Sequence, residues 1–204
     1  MNRPGIWETV LAEATSALVP AGRSLSRAQD SPAVDAIVRG RARVYTRTSA
    51  GRQTTIRYVD PGHLIGLAGL FGTADSYEVE AVTDATVATI ATDRFRLLLF
   101  EKPELGLAVA EEINIAASDA VRTVLAGAGL ITGRIARHIL AVGVEGPDGR
   151  LVARITHQRL AESVGTAREV VTRVLKQFRH DGLIEGAAGA IIVVDAQGLE
   201  ELAT

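Results

Sequence analysis

The spacing of apolar residues divides the first half of the chain into a helical part and a strand-rich part. Near the N-terminus, apolar side chains recur at helical spacing at Ile6, Val10, Leu11, Ala14 and Leu18. This spacing predicts an amphipathic helix over residues 6–19. Between residues 22 and 91, short β-type runs alternate with turn signals such as Asp60-Pro61-Gly62. Many short strands without helical crossovers predict an antiparallel β-barrel or jelly roll.

A longer helix is predicted for residues 103–126. Pro103 is tolerated in a first helical turn, and the run Ala126-Gly127-Ala128-Gly129 ends the helix because glycine is unfavourable in a helix interior. Small and β-branched residues recur along it with heptad-like spacing: Val109, Ile113, Ala117, Ala120 and Val124. So narrow a stripe favours pairing with the same helix of a second copy. Packing of the stripe against the chain's own barrel is the alternative.

Residues 156–178 predict a helix-turn-helix. Thr156 can cap a first helix, Gly165 supplies a tight turn, and Thr166 can cap a second helix. The apolar residues of both helices fall on one side: Leu160, Ala161, Val164, Val170, Val171, Val174, Leu175 and Phe178. The opposite side of the second helix is polar, which is typical of a helix that enters the major groove of DNA.

Arginine can read guanine with two hydrogen bonds, and glutamate can accept one from cytosine. Two simpler interpretations stay open: Thr166 and Glu169 stand in the relation of a capping box, and the basic side chains can form a solvated face. We expect DNA contacts from the start of the first helix and from the polar face of the second: Thr156, His157, Gln158, Thr166, Arg168, Glu169, Thr172, Arg173 and Lys176.

Charge is distributed unevenly along the chain. The formal net charge is −2 and the pI is about 6.1, so the chain as a whole is not basic. Residues 151–182 nevertheless carry a net charge of +3, which leaves −5 for the remainder. The basic side chains therefore concentrate where the DNA-binding face is predicted. A glycine-rich hairpin around residues 186–190 is expected to lie along phosphates as a wing.

The helix-turn-helix segment resembles the family of the cAMP receptor protein and the fumarate-nitrate-reduction regulator, CRP/FNR. Leu160-Ala161, Gly165-Thr166, Arg168-Glu169, Val171, Arg173, Leu175 and Gly182-Leu183-Ile184 carry the likeness, and residues 60–71 and 133–136 extend it over nearly the whole chain. The resemblance implies an α+β fold: an N-terminal antiparallel β-barrel or jelly roll, a long dimerisation helix and a C-terminal winged helix-turn-helix.

The resemblance also implies domains and partners. A sensor barrel is expected over residues 1–102, a dimerisation helix over 103–126, a hinge over 127–130 and a winged-helix DNA-binding domain over 131–204. The expected partners are a second copy, an inverted-repeat DNA operator with half-sites like TGTGA and TCACA, and RNA polymerase. Arg168, Glu169 and Arg173 occupy the positions that touch bases in the family.

The predicted effector pocket departs from the family pattern. Cyclic-nucleotide-binding members place a glutamate after the glycine that matches Gly66, and an Arg-Ser pair after the following loop. This chain has Leu67 and Asp75-Ser76 at those positions. Leucine cannot accept a hydrogen bond from a ribose hydroxyl, and aspartate repels a phosphate. The sequence therefore predicts that cAMP does not bind in the usual pose, and the effector is unknown.

Composition excludes several chemistries. The absence of cysteine excludes disulfides, cysteine-ligated iron–sulfur clusters and cysteine nucleophiles. We expect no metal, no catalytic residue and no cofactor, with haem through His63 or His138 as the remaining option. No apolar run is long enough to cross a bilayer and no signal peptide is evident, which indicates a cytoplasmic protein. A cupin-like barrel enzyme with an unrelated helical domain, and an interaction module without DNA contacts, are the alternatives.

Overall fold

The structure is a computed structural model that describes residues 4–25, 32–47, 53–72, 77–126, 131–187 and 189–203. Contacts divide the chain into two compact units. The N-terminal unit comprises Met1–Thr46 and Ile56–Thr123, and the C-terminal unit comprises Arg47–Thr55 and Val124–Thr204. The predicted hinge, residues 127–130, lies outside the described residues, and the finer predicted division into barrel, helix and hinge stays a prediction.

Two β-sheets form the body of the N-terminal unit, apart from the strand residues Arg47 and 53–55, which belong to the C-terminal unit. Their strands are β1 (Thr15–Val19), β2 (Ala33–Arg39), β3 (Ala42–Arg47), β4 (Gln53–Val59), β5 (Leu64–Ile65), β6 (Glu78–Ala81) and β7 (Ala85–Ala91). One sheet has the order β1-β7-β2-β5, and the other has the order β4-β3-β6. The pairs β1–β7, β2–β7, β2–β5 and β3–β6 are antiparallel, as the strand-rich pattern predicts.

Helices cover the first sheet. They are α1 (Pro4–Glu13), a short 3-10 helix (Leu67–Phe71), α2 (Thr92–Glu101) and α3 (Glu104–Ala126). Val34 and Ile90 of the sheet share a buried cluster with Phe95 of α2 and with Leu105 and Val109 of α3. A second cluster, which includes Ile37, Val44, Val79 and Val87, joins the two sheets. Burial of each such side chain contributes about 1.5–3 kcal/mol.

The helix predicted for residues 6–19 is too long. α1 ends at Glu13, and Thr15–Val19 forms strand β1. Five backbone positions of β1 pair with β7, from Thr15 opposite Thr89 to Val19 opposite Ala85. Pairing with the edge of the sheet satisfies the backbone groups of this segment and overrides its helical spacing of apolar residues.

The C-terminal unit combines helices with one small sheet. Its elements are α4 (Ile131–Val142), β8 (Val144–Glu145), β9 (Leu151–Ala153), α5 (His157–Val164), α6 (Arg168–His180), β10 (Ile184–Ala187), β11 (Ala190–Val193) and α7 (Ala196–Ala203). The sheet has the order β10-β11-β9-β8. The core of the C-terminal unit contains the buried side chains of Ile135, Ile139, Leu160, Leu175 and Phe178. The predicted α+β class, with a β-rich N-terminal part and a C-terminal winged helix-turn-helix, is confirmed.

Candidate nucleic-acid interface

The helix-turn-helix consists of α5 and α6 with Gly165 between them. Thr156 Oγ1 accepts a hydrogen bond from the Arg159 N–H at 3.1 Å, so the predicted cap of the first helix is confirmed. Gly165 ends α5 in the left-handed region, with φ 70°, and its N–H donates to carbonyls of the last turn. This conformation suits glycine because a Cβ would be strained there.

The predicted cap of the second helix is wrong. α6 begins at Arg168, and Ala167 occupies the N-cap position without a side-chain hydrogen bond. Thr166 lies one residue too early, since its backbone N–H closes the turn on the Ala161 carbonyl at 2.9 Å. Glu169 is therefore the second helical residue and not the third, as a capping box requires. The structure therefore excludes a capping box between Thr166 and Glu169.

The two sides of α6 differ sharply in exposure. Val171 and Leu175 are fully buried, Val174 and Phe178 are nearly so, and Val170 is half-buried. The polar residues predicted to contact DNA on this helix are all exposed: Arg168, Glu169, Thr172, Arg173 and Lys176. The packed side anchors α6, and the opposite side presents guanidinium, carboxylate, hydroxyl and ammonium groups to solvent.

The first residue of α5 is bonded to α6. His157 Nδ1 lies 3.0 Å from Thr172 Oγ1, and that hydroxyl donates to the Arg168 carbonyl at 3.0 Å. Burial lowers the pKa of His157, and the guanidiniums of Arg179 and Arg168 lower it further. The neighbouring Gln158 donates to Glu162 at 2.8 Å, so this side chain is engaged within α5.

Arg179 is a basic residue of α6 for which the sequence predicted no role. A Cβ added to Gly186 of β10 would lie 3.2 Å from Arg179 Nε, so the guanidinium packs against the backbone of the hairpin. The β10–β11 hairpin is the predicted wing. The basic charge of Arg179 is visible in the sequence, but its place beside the wing depends on the tertiary fold.

Comparison with known proteins places this arrangement in a family. Residues 18–102 match the cyclic nucleotide-binding domain, and residues 133–202 match the Crp-like helix-turn-helix domain. The cAMP-activated global transcriptional regulator CRP of Salmonella typhimurium is 31% identical over 168 residues, which cover 77% of this chain and 78% of that protein. The chain belongs to the CRP/FNR family.

Two further matches come from Thermus thermophilus. The transcriptional regulator SdrP is 29% identical over 175 residues, which cover 82% of each chain. The crystal structure of a CRP/FNR-family transcriptional regulator is 27% identical, has a TM-score of 0.72, and is matched over 93% of this chain and 98% of that one. These relatives are transcription regulators, and the chain is a DNA-binding transcription regulator of the CRP/FNR type.

The predicted effector region is described in part. Leu67 is buried in the cluster that joins the first sheet to the helices. Gly66, with φ 90°, passes so close to β2 that a Cβ would lie 2.3 Å from the Ala33 carbonyl oxygen. Gly66 thus has a structural reason to be glycine. Asp75 and Ser76 lie outside the described residues.

The residues predicted to form a dimer seam fall partly on the buried side of α3 and partly on its exposed side. Val109 is buried in the core of the N-terminal unit and is therefore not free to pack on a partner helix. Ile113 and Ala117 are exposed, and Ala120 is half-buried. Gly106, Ala110 and Val121 are also exposed and continue the stripe at helical spacing. The side chain of Val124 lies outside the described residues.

Of the two histidines considered for haem, one is hydrogen-bonded to a carboxylate and the other is buried. His63 Nδ1 lies 2.9 Å from Glu112 Oε1, and His138 is only 1% exposed. Among the described residues, no group of three or more His, Asp or Glu side chains could hold a metal ion. None of the described helices has the length and hydropathy to span a membrane.

Proposed function

We propose that this CRP/FNR chain acts as a homodimer that binds an inverted-repeat DNA operator with its two α6 helices. The single observation that carries the proposal is the exposed polar side of α6 over a buried apolar one. A helix held in this way can enter the major groove with its N-terminal residues leading. Arg168 and Glu169 are the first two residues of that helix.

We assign a role to each polar residue of α6. Arg168 reads guanine, Glu169 accepts from cytosine on the opposite strand, and Arg173 contacts a neighbouring base or phosphate. Lys176 and His157 contact the phosphate backbone. Half-sites like TGTGA and TCACA fit these residue types. The half-sites lie about 34 Å apart, because a two-fold dimer presents its helices one turn of DNA apart.

Pairing of α3 with the same helix of a second copy is supported by its two apolar sides. Leu105, Ala108 and Val109 are buried within the N-terminal unit. Ile113 and Val121 remain 39% and 57% exposed in the single chain. Apolar residues repeated at such spacing along a long helix are usually covered by another helix. We place the seam on Gly106, Ala110, Ile113, Ala117, Ala120, Val121 and Val124.

The effector we propose is not cAMP in the usual pose. Leu67 is apolar and packed in the core, so it offers no acceptor to a ribose hydroxyl. We propose no haem effector, because a lone histidine that is hydrogen-bonded, like His63, or buried, like His138, more often serves the fold than binds iron. RNA polymerase is the protein partner that we propose for a regulator of this family.

A gel-shift titration over salt concentration tests the DNA-binding role. The full chain should bind a duplex that carries TGTGA and TCACA half-sites, with an affinity that falls steeply as salt rises. Lys176→Ala should lower the salt slope by about two, because the homodimer loses one phosphate contact in each half-site. Arg39→Ala, an exposed arginine of β2, removes the same charge elsewhere and should leave the slope unchanged. A chain without salt-dependent binding would contradict the proposal.

A further inference from the structure

Side chains of this chain bond the backbone of the segment that leads into the predicted effector region. The Leu64 N–H donates to a carboxylate oxygen of Glu112 at 3.2 Å, and the Arg57 guanidinium donates to the Leu64 carbonyl at 2.8 Å. The Gly66 N–H donates to the hydroxyl oxygen of Tyr77 at 3.3 Å. A small polar ligand at this segment would therefore compete with the chain's own side chains for the same backbone groups.

The ring of Tyr77 lies on the inner face of the two sheets. Tyr77 directly precedes β6, and its ring packs against the cluster that joins the sheets, to which Val79 of β6 belongs. Glu78, between these two residues, is exposed. Successive side chains of an extended segment alternate between its two faces, which explains why Tyr77 and Val79 share the inner one.

The phenol of Tyr77 supplies what Gly66 requires. Gly66 is buried, and a buried N–H without an acceptor costs its desolvation penalty. The next residue, Leu67, is packed in the other cluster and carries no polar side-chain atom. Tyr77 thus offers both features of a small ligand at this place, an apolar ring against the sheets and an oxygen that accepts from Gly66.

We propose that Tyr77 is a built-in occupant of the predicted effector region: its phenol fills the place of a small ligand beside Gly66, and the chain binds its operator without a small-molecule effector. The inference rests on the proposed DNA-binding function and adds to it the regulation of that function. Loss of the Tyr77 phenol should make DNA binding depend on a ligand. The ligand class that fits is a small phenol, because it restores the ring and the acceptor oxygen together.

Hydrogen bonds connect this place to the long helix. Glu112 of α3 bonds to the Leu64 N–H and lies 2.9 Å from His63 Nδ1, so the segment before Gly66 is held against α3. α3 is the helix on which we place the dimer seam, and an inverted-repeat operator requires both copies. An occupant that fixes Gly66 should therefore raise DNA affinity through the position of this segment on α3.

The first experiment is a calorimetric titration of the full chain with p-cresol, the Tyr77 side chain as a free molecule. Tyr77→Ala should bind one p-cresol per chain, because an apolar cavity takes up an aromatic molecule of matching size. Toluene should bind it more weakly, since toluene leaves the Gly66 N–H without an acceptor. Wild type and Tyr77→Phe should bind neither compound, because their own ring is in place. Ile56→Ala, which trims another partly buried side chain on the same cluster, should bind neither.

The second experiment measures the affinity of these proteins, dialysed free of small molecules, for a duplex with TGTGA and TCACA half-sites at constant salt. Wild type should bind without an added compound. Tyr77→Ala should bind about tenfold more weakly, a typical size for coupling between two sites, and p-cresol should restore most of this loss. Tyr77→Phe keeps the ring and should stay within about threefold of wild type, since it loses one hydrogen bond alone.

Thermal unfolding verifies that each variant is folded. p-Cresol should raise the unfolding temperature of Tyr77→Ala and leave that of wild type and Ile56→Ala unchanged. Tyr77→Val removes less of the side chain, and it replaces Tyr77→Ala in both experiments if alanine prevents folding.

Each outcome has a distinct meaning. Failure of Tyr77→Ala to bind p-cresol, or DNA affinity equal to that of wild type without p-cresol, would overturn the inference. Wild type that binds DNA only after the small-molecule fraction of a cell extract is added would also overturn it. Absence of DNA binding by wild type, with and without this fraction, would instead contradict the proposed function. The p-cresol titration contains no DNA, and it would still decide whether Tyr77 occupies this place.

Discussion

The carboxylate of Glu112 in α3 lies 2.9 Å from Nδ1 of His63, the residue that precedes β5. The same carboxylate accepts a hydrogen bond from the Leu64 N–H at 3.2 Å. Glu112 is only 5% exposed, and a carboxylate so buried is stable only when its oxygens are satisfied. These bonds therefore hold the long helix against the segment that leads to Gly66 and the predicted effector region.

Glu112→Ala should destabilise the N-terminal unit by about 2–3 kcal/mol. The substitution leaves the buried Leu64 N–H without its acceptor, and an unsatisfied buried donor costs its full desolvation penalty. Urea unfolding followed by the fluorescence of Trp7, the single tryptophan, reports this unit because α1 belongs to it. Asn114→Ala, at an exposed position of the same helix, should change stability by less than about 0.5 kcal/mol. Equal effects would show that the buried bonds contribute nothing specific.

Gly66→Ala should cost more stability than Gly62→Ala. Both glycines have φ near 90°, and an alanine loses about 1–2 kcal/mol in this region at either position. Only Gly66 has a backbone atom in the way, the Ala33 carbonyl oxygen at 2.3 Å from the added Cβ. This clash should add about 1–3 kcal/mol. If urea unfolding shows the same loss for both variants, the close approach of Gly66 to β2 is not significant.

Ile113→Glu should dissociate the proposed homodimer. The substitution places a charge on the exposed stripe of α3, where burial against a partner helix would leave it unpaired. Asn114→Glu adds the same charge at the next exposed position, off the stripe, and should leave the dimer intact. Sedimentation at micromolar concentration distinguishes the two species. A dimeric Ile113→Glu variant would place the seam elsewhere.

Calorimetric titration with cAMP should show no micromolar binding in the usual pose. In the family pattern a glutamate and an arginine anchor the nucleotide, and this chain has the buried Leu67 at the first position and the negatively charged Asp75 at the second, cationic one. Micromolar affinity that is lost on substitution within residues 66–76 would contradict this expectation.

Local patterns in the sequence were sufficient for much of the C-terminal unit. Thr156 and Gly165 have the predicted cap and turn roles. These features depend on a few adjacent residues, and their chemistry acts over one helical turn. The prediction for Thr166 was wrong because a threonine can either cap a helix or stand in the turn before it. Which role it has depends on the residue at which the helix starts, and α6 starts at Arg168.

Features that depend on distant partners were not predicted. Strand β1 exists because β7, far along the chain, offers it an edge on which Thr15 pairs with Thr89 and Val19 with Ala85. Val109 is likewise buried against residues of other elements, and His157 of α5 contacts Thr172 of α6. The spacing of residues within one element carries no information on such contacts.

Selection of binding sites from random DNA, with wild type and Arg168→Ala in parallel, tests the central claim most directly. Wild type should select an inverted repeat whose half-sites lie about 34 Å apart, and Arg168→Ala should lose preference at one base pair of each half-site at a cost of about 1–3 kcal/mol. Lys176→Ala, a phosphate contact, should select the wild-type sequence with weaker binding overall. An unchanged preference in Arg168→Ala, or a selected site without two-fold symmetry, would contradict sequence reading by paired α6 helices.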